Sequence, residues 1–379
     1  MIIESRRVWV LNNWMEAQIE VVDGKIINIY PYHFKQADKD YGNYRIVPGF
    51  IDVHTHGMMD FDTNDADPDG LRRWLKEVVK EGVTGICPTT ITQSEQVLTK
   101  ALENVANVVK EGYQGAQILG IHFEGPYLDQ QYKGAQPETY CVPSDVEQFK
   151  RYEKASDGLI KIITMACEHD QNFALTHYCN EKGIVVSQGH SSATFQQAQM
   201  AIAHGAKSMT HVYNGMTPYH HRDPGLVGAA LRFQNVYGEI IVDGCHSSLE
   251  AIYNFYQAKG NDTAIMITDS SLMKGLEPGS QRLFGGNPVI LYEDGTAHLV
   301  EGGNLASSTL KVNEGLRLVV QQAGVPWQAA INSCTINPAK MLGVDDKKGS
   351  IQVGKDADIV VLDDQYEVVM TYVKGKEGF

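Results

Sequence analysis

The chain has 13 histidines in 379 residues, and five of them stand at the ends of short apolar runs. His54 and His56 close "VPGFIDVHTHG" two residues apart, so on an extended strand both side chains point to one face. By themselves they read equally as metal ligands or as a hydrogen-bonded pair near a turn. Glu124 in "IHFEGPY" follows apolar residues and precedes Gly125-Pro126. A carboxylate there ends a strand, and carboxylates are almost never buried without a partner. His190 in "VVSQGHSSA" and His211 in "SMTHVYNG" are single histidines among small and apolar residues. With Glu124 they supply two imidazoles and a carboxylate, the ligand set of many hydrolytic divalent-metal sites that leave a position open for water.

Asp269 ends the apolar run "AIMITDS". It can cap whatever follows, or act as a general base that takes a proton from the attacking water and returns it to a leaving nitrogen. His246 in "DGCHSS" can donate a hydrogen bond to a carbonyl oxygen as it becomes an oxyanion. Two further stretches concern a substrate. "VYNGMTPYHHRDPG" offers Asn214, Gly215 and Arg222 as an anion or polyol contact region, although a solvated loop would look similar. "EGGNLASS", Glu301 to Ser308, contains Asn304, Leu305 and Ala306 and reads as a Gly-rich turn before the helix-like "TLKVNEGLRLVVQQAG". That would place a helix N-terminus toward a ligand, without a nucleotide-binding Walker pattern.

These groups need a scaffold that brings strand ends together. Eight apolar runs follow one another from Val47 to Leu272, beginning "VPGFIDVHTHG", "GVTGICPTTIT", "QILGIHFEGPYL" and ending "AIMITDSSL". Helical segments fall between most of them, such as Pro68 to Glu81 stopped by Gly82, and Ala193 to His204 stopped by Gly205. This alternation predicts an α/β chain with a (β/α)8 TIM-like barrel over residues 47–342, whose active site lies at the C-terminal ends of the strands. Residues 1–46 and 343–379 carry short alternating runs instead. Asp23-Gly24 sits as a hairpin turn, and the C-terminal strands break at Gly354 and at Asp363-Asp364. Both ends together predict one small β-sandwich domain.

Composition narrows the partners. Lys and Arg number 32 against 46 Asp and Glu, a formal charge of −14, and no basic run could track a phosphate backbone or an anionic membrane. The start has no signal-peptide pattern and nowhere do about 18 apolar residues run unbroken, so a cytoplasmic protein is expected. The six cysteines lack any Cys-x-x-Cys pair and read as free buried thiols.

The ordered motifs "PGFIDVHTHG", "HFEGPYL", "KGAQPE", "GHSSA", "THVYNGM", "HHRDPGLVGAAL", "DGCHSS", "TDSSLMKGLEPG", "GGNLASS" and "NPAKMLGVDDKKGSIQVGKDADIVVLD" resemble the N-acetylglucosamine-6-phosphate deacetylase family of the amidohydrolase superfamily over nearly the whole chain. The resemblance implies deacetylation of N-acetylglucosamine 6-phosphate in amino-sugar catabolism. It implies metal ligands at Glu124, His190 and His211, and a second ion where both His54 and His56 are present, bridged toward Glu124 and Asp269. The ions are zinc, iron or manganese, one or two per subunit. Asp269 matches the catalytic base and His246 the carbonyl-polarising histidine. Ala135, Asn214, Gly215 and the turn Asn304, Leu305, Ala306 match sugar and phosphate contacts. Arg222 matches a phosphate-binding arginine that reaches in from the other subunit of a homodimer. Three departures, Ser270 after Asp269, Ser248 two places after His246, and Asn304 in Gly303-Asn304-Leu305, leave N-acetylgalactosamine 6-phosphate as an alternative substrate. Other readings are an amidohydrolase of cyclic amides, with Lys161 as its carbamylated bridge, and a sugar-phosphate binding protein.

Overall fold

The computed structural model describes residues 1–379. Eight parallel strands form the staves of a barrel: Phe50–Thr55, Val83–Pro88, Ile121–Glu124, Ile160–Met165, Val185–Gln188, Ser208–Met209, Tyr237–Ile241 and Ala264–Ile267. Each coincides with one of the eight apolar runs. Strands three to eight make one continuous parallel sheet and strands one and two another, joined by a bridge between Thr89 and His122. The circle closes where Asp269 N–H donates to the His54 carbonyl at 2.8 Å and His56 N–H to the Ser270 carbonyl at 2.7 Å.

The helices between staves form for local reasons. In Pro68–Glu77, Asp67 caps the first turn and Pro68 takes the first helical position, where no N–H is needed. Leu71, Trp74 and Leu75 then fall on one face and are buried, each contributing roughly 1.5–3 kcal/mol. A 3-10 turn, Val78–Glu81, ends at Gly82 in the left-handed region, φ 84°. Phe195–Ala203 is capped by Thr194 and Gln197 in a capping box.

The chain ends form a separate eight-stranded sheet. Arg45–Pro48 is its centre, antiparallel to Ile359–Leu362 and parallel to Ile2–Val10. The Asp23-Gly24 hairpin joins Asn13–Val22 to Lys25–Pro31, with both turn residues at positive φ. A core of Ile3, Val8, Ile19, Ile46, Ile359 and Tyr372 packs this sheet apart from the barrel's own. The stretch before Gly354 is not a strand.

One element differs from expectation. Between the eighth strand and its helix lies a three-stranded antiparallel meander, Gln281–Phe284, Asn287–Leu291 and Ala297–Leu299. The Gly-rich turn from Glu301 to Ser308 belongs to this meander: Leu299 N–H donates to Asn304 O at 2.8 Å and Ala306 N–H to Ala297 O at 2.9 Å. The helix starts only at Val312 and its first turn has no side-chain cap, so Asn304, Leu305 and Ala306 are not at a helix N-terminus.

Candidate metal centre and catalytic cleft

The C-terminal ends of the staves converge on a cleft of about 370 Å³. Glu124, last residue of strand three, lies at its centre. His190 Nε2 and His211 Nε2 each approach Glu124 Oε1 to 3.3 Å. His56 Nε2 is 3.4 Å from Glu124 Oε2 and 3.2 Å from Asp269 Oδ1. His54 Nε2 is 3.4 Å from Glu124 Oε1 and 3.5 Å from Asp269 Oδ1. Two ligand groups result, Glu124–His190–His211 and His54–His56–Asp269, with Glu124 in reach of both.

The donor set fits a cation. His190 Nδ1 lies 2.8 Å from the Tyr132 carbonyl and His211 Nδ1 3.1 Å from the Asn214 carbonyl, so each Nδ1 is the donor and, in the tautomer that can bind a metal, each ring turns an Nε2 lone pair inward. Those two lone pairs stand 3.0 Å apart and face a carboxylate oxygen, Glu124 Oε1, that has no hydrogen-bond partner. Acceptors packed against acceptors in a buried site are unfavourable unless a positive charge lies among them. The electrostatics agree. Burial by itself pushes the His54 imidazolium down, yet Glu124 and Asp269 together pull it well above the ordinary histidine range. Burial likewise pushes Asp269 up, but His54 and His56 outweigh it and hold the carboxyl at about 2.

Backbone strain gathers at the same residues. His190 has φ 47°, His211 φ 29° and Asp269 φ 50°, left-handed conformations costing on the order of 1–3 kcal/mol each outside glycine. Asp269 is held there by its N–H to His54 O and by Ser308 N–H to its own carbonyl, both at 2.8 Å.

On the far wall His246 Nδ1 lies 2.6 Å from Asp243 Oδ2, and Asp243 Oδ1 accepts the N–H groups of Cys245 and His246 at 2.8 Å. Burial draws the His246 imidazolium down, but Asp243 more than offsets this and raises it above the usual value. Because Nδ1 is committed to Asp243, Nε2 carries a proton only in the charged ring. The raised pKa is therefore what makes His246 a hydrogen-bond donor to the cleft.

Comparison with known proteins follows the same pattern. The Amidohydrolase family pattern matches residues 45–378. The chain belongs to the amidohydrolase family. A Bacillus subtilis (strain 168) relative, N-acetylglucosamine-6-phosphate deacetylase, is 40% identical over 337 residues, 88% of this chain and 84% of the relative. An Escherichia coli O157:H7 relative, N-acetylgalactosamine-6-phosphate deacetylase, is 32% identical over 376 residues, 99% of this chain and 98% of the relative. The crystal structure of N-acetyl-D-glucosamine-6-phosphate deacetylase from Mycobacterium smegmatis superposes with a TM-score of 0.94 at 27% identity, covering 100% of this chain and 99% of that one.

Most residues picked out as amidohydrolase site residues come together. Glu124, His56, His190, His211, His246 and Asp269 line the cleft, with Ala135, Asn214, Gly215, Asn304 and Leu305 around them; His54 lies just beneath, fully buried. Asn214 Nδ2 is buried with no partner, a free donor for a ligand. Gly215 is needed for close approach: a Cβ there would lie 2.9 Å from His190 Nδ1, at φ 57°. Two residues are elsewhere. Ala306 faces the meander's own core, with its N–H spent on the strand. Arg222 is exposed on a loop outside its own chain's cleft, bonded to His221 Nε2 at 2.8 Å. Ser248 caps the helix Leu249–Lys259, accepting from Ala251 N–H. Lys161 sits near the start of strand four, packed against Gly120, so it cannot bridge ions at the opposite end.

Other cleft residues are absent from the sequence reading. Gln136 donates to Glu124 Oε2 at 2.7 Å and accepts from Thr92 N–H at 2.7 Å, holding the shared carboxylate in place. Phe284 from the meander meets His56 edge-on, centroids 5.2 Å apart, and Ile91 and Tyr213 complete the wall. Asp243 and Glu239 hold His246 and His54. Both were visible as carboxylates in or beside the apolar run "YGEIIVDGCH", where an unpaired charge has no structural excuse.

Proposed function

We infer that this chain hydrolyses the acetamide of N-acetylglucosamine 6-phosphate, yielding glucosamine 6-phosphate and acetate. The observation that carries it is the pair of acceptor clusters meeting at Glu124 and flanked by Asp269 and His246, in a chain whose relatives carry that activity. A divalent ion on Glu124, His190 and His211, with a second on His54, His56 and Asp269, would supply Lewis acidity that acidifies water and polarises the carbonyl. Asp269 takes the proton of the attacking water and delivers it to the nitrogen as the C–N bond breaks. His246 donates its Nε2–H to the carbonyl oxygen while that oxygen carries negative charge. Asn214 and the Asn304-Leu305 edge hold the sugar, and the apolar side of the cleft, Ile91 and Phe284, receives the acetyl methyl.

The wider assignment includes a cytoplasmic homodimer in amino-sugar catabolism. In it Arg222, exposed beside Tyr219, serves the partner's cleft as a phosphate ligand. Imidazole and carboxylate ligands suit zinc, iron or manganese. No helix is long and apolar enough to cross a membrane. The separate core of the chain-end sheet supports a division of the chain at about residues 46 and 343.

The test is steady-state hydrolysis of N-acetylglucosamine 6-phosphate, N-acetylgalactosamine 6-phosphate and unphosphorylated N-acetylglucosamine by one metal-quantified preparation. The gluco phosphate should have the highest kcat/KM and the free sugar the lowest. Preference for the galacto epimer would reassign the sugar, and no turnover of any of the three would overturn the reading.

A further inference from the structure

Glu239 lies midway along barrel strand seven, with no surface exposed. Its only ion-pair partner is His54, whose Nδ1 is 2.9 Å from Oε2; Oε1 has no hydrogen-bond partner at all. A carboxylate in that position is costly, because no lysine or arginine offsets it and the barrel interior below is apolar. The neighbouring ring cannot help. His122 has both nitrogens occupied, Nδ1 by the Val53 carbonyl at 2.9 Å and Nε2 by Thr164 Oγ1 at 2.7 Å.

The four imidazoles around Glu124 are held in different ways. His190 and His211 rest on neutral carbonyls, and His56 Nδ1 rests on nothing. His54 alone is backed by a carboxylate. Through that contact Nδ1–H donates to Glu239 Oε2, which turns Nε2 toward Glu124 and Asp269 and makes Nε2 a stronger electron donor. Positive charge beyond the ring is what would balance the buried carboxylate behind it.

We propose that Glu239 is the positioning residue that fixes the tautomer of His54 and sets the affinity of the His54–His56–Asp269 group for a divalent cation. The proposal rests on the two-cluster reading of the cleft and adds that one of the clusters is tuned from below. Glu239 touches neither substrate nor ion. It acts through His54 alone.

The experiment uses the full chain, stripped of metal and titrated with Co²⁺, reading bound equivalents by elemental analysis after dialysis and the visible ligand-field bands. Wild type, Glu239→Gln, Glu239→Leu, His54→Ala and the Glu239→Leu/His54→Ala double variant are compared. Wild type should bind two equivalents. In Glu239→Leu one equivalent should weaken about 10–100-fold with its bands altered, while the other keeps its wild-type affinity. Glu239→Gln, which still accepts from Nδ1 but lacks the charge, should weaken the same equivalent by about 10-fold. The double variant should lose no more than His54→Ala alone, because both changes act on one ligand. Two equivalents of wild-type affinity in the Gln and Leu variants would overturn the role of Glu239 and leave the metal reading standing. If the Leu variant does not fold, wild-type affinity in Glu239→Gln overturns the proposal by itself. A wild-type chain that takes up fewer than two ions overturns it together with the two-cluster reading. A third equivalent lost with Glu239 would make the carboxylate a ligand and overturn the positioning role.

Discussion

The two ends of the barrel strands obey opposite rules. At the floor, Ile51, Val53, Cys87, Ile162, Val185 and Ile265 pack into a buried apolar cluster that needs nothing beyond itself. At the mouth, at or just beyond the C-terminal ends of the barrel strands, stand Glu124, four imidazoles and Asp269, three of them in left-handed backbone. His54 Nε2, His56 Nδ1, Glu124 Oε1 and Asn214 Nδ2, all at this mouth, are buried without hydrogen-bond partners. The floor contributes to stability. The mouth is unfavourable as a piece of protein and becomes intelligible as a receptacle for a cation and a polar substrate.

The contrast can be broken at chosen residues. The largest effect belongs to Asp269→Asn, which removes the proton acceptor while preserving shape. The account expects kcat to fall by about 10³-fold or more, with folding and metal content near wild type. Metal analysis, circular dichroism and steady-state kinetics on one preparation check it, and full activity would remove Asp269 from the chemistry. At the floor the pattern should invert. Ile162→Ala, at a fully buried position, should cost about 2–5 kcal/mol in denaturant unfolding while leaving kcat within about two-fold of wild type at 25 °C. A large loss of kcat in a folded protein would show that the floor also shapes the site.

The smallest effect sharpens the division within the mouth itself. His246 donates to the cleft only as the imidazolium, and Asp243 raises its pKa, so the charged ring is present below that raised value and lost as pH rises through it. Asp243→Asn removes the larger raising interactions, so that burial, opposed by Asp269 alone, draws the pKa down. The alkaline limb of the kcat/KM profile should then move to lower pH, with several-fold lower activity at pH 8 and a smaller loss at pH 6. An unchanged limb would mean that another group titrates there.

The strands and most of the cleft could be read from sequence because their signals are local. "GFIDVHTH" and "AIMITD" put a polar group at the end of an apolar strand, and Gly82 and Gly205 stop helices where their neighbours predict it. Relations across the barrel are not local. His54 meets Glu239 across 185 positions, and Gln136 reaches Glu124 only because the intervening loop folds back. The meander carried its own markers, Gly285-Gly286 and Asp294-Gly295 between alternating runs, but it occupies a crossover where a barrel count expects only a loop. Arg222 is the reverse case: the phosphate contact proposed for it needs a second copy of the chain, which no spacing within one chain encodes.

The most direct test of the central claim is stepwise return of a divalent ion to metal-free protein, reading deacetylation of N-acetylglucosamine 6-phosphate against equivalents bound. The account predicts no measurable turnover at zero, a rise that saturates by two equivalents, and no recovery at any equivalence in Glu124→Ala, which removes the carboxylate both clusters share. Full turnover by metal-free protein, or full recovery in Glu124→Ala, would contradict it.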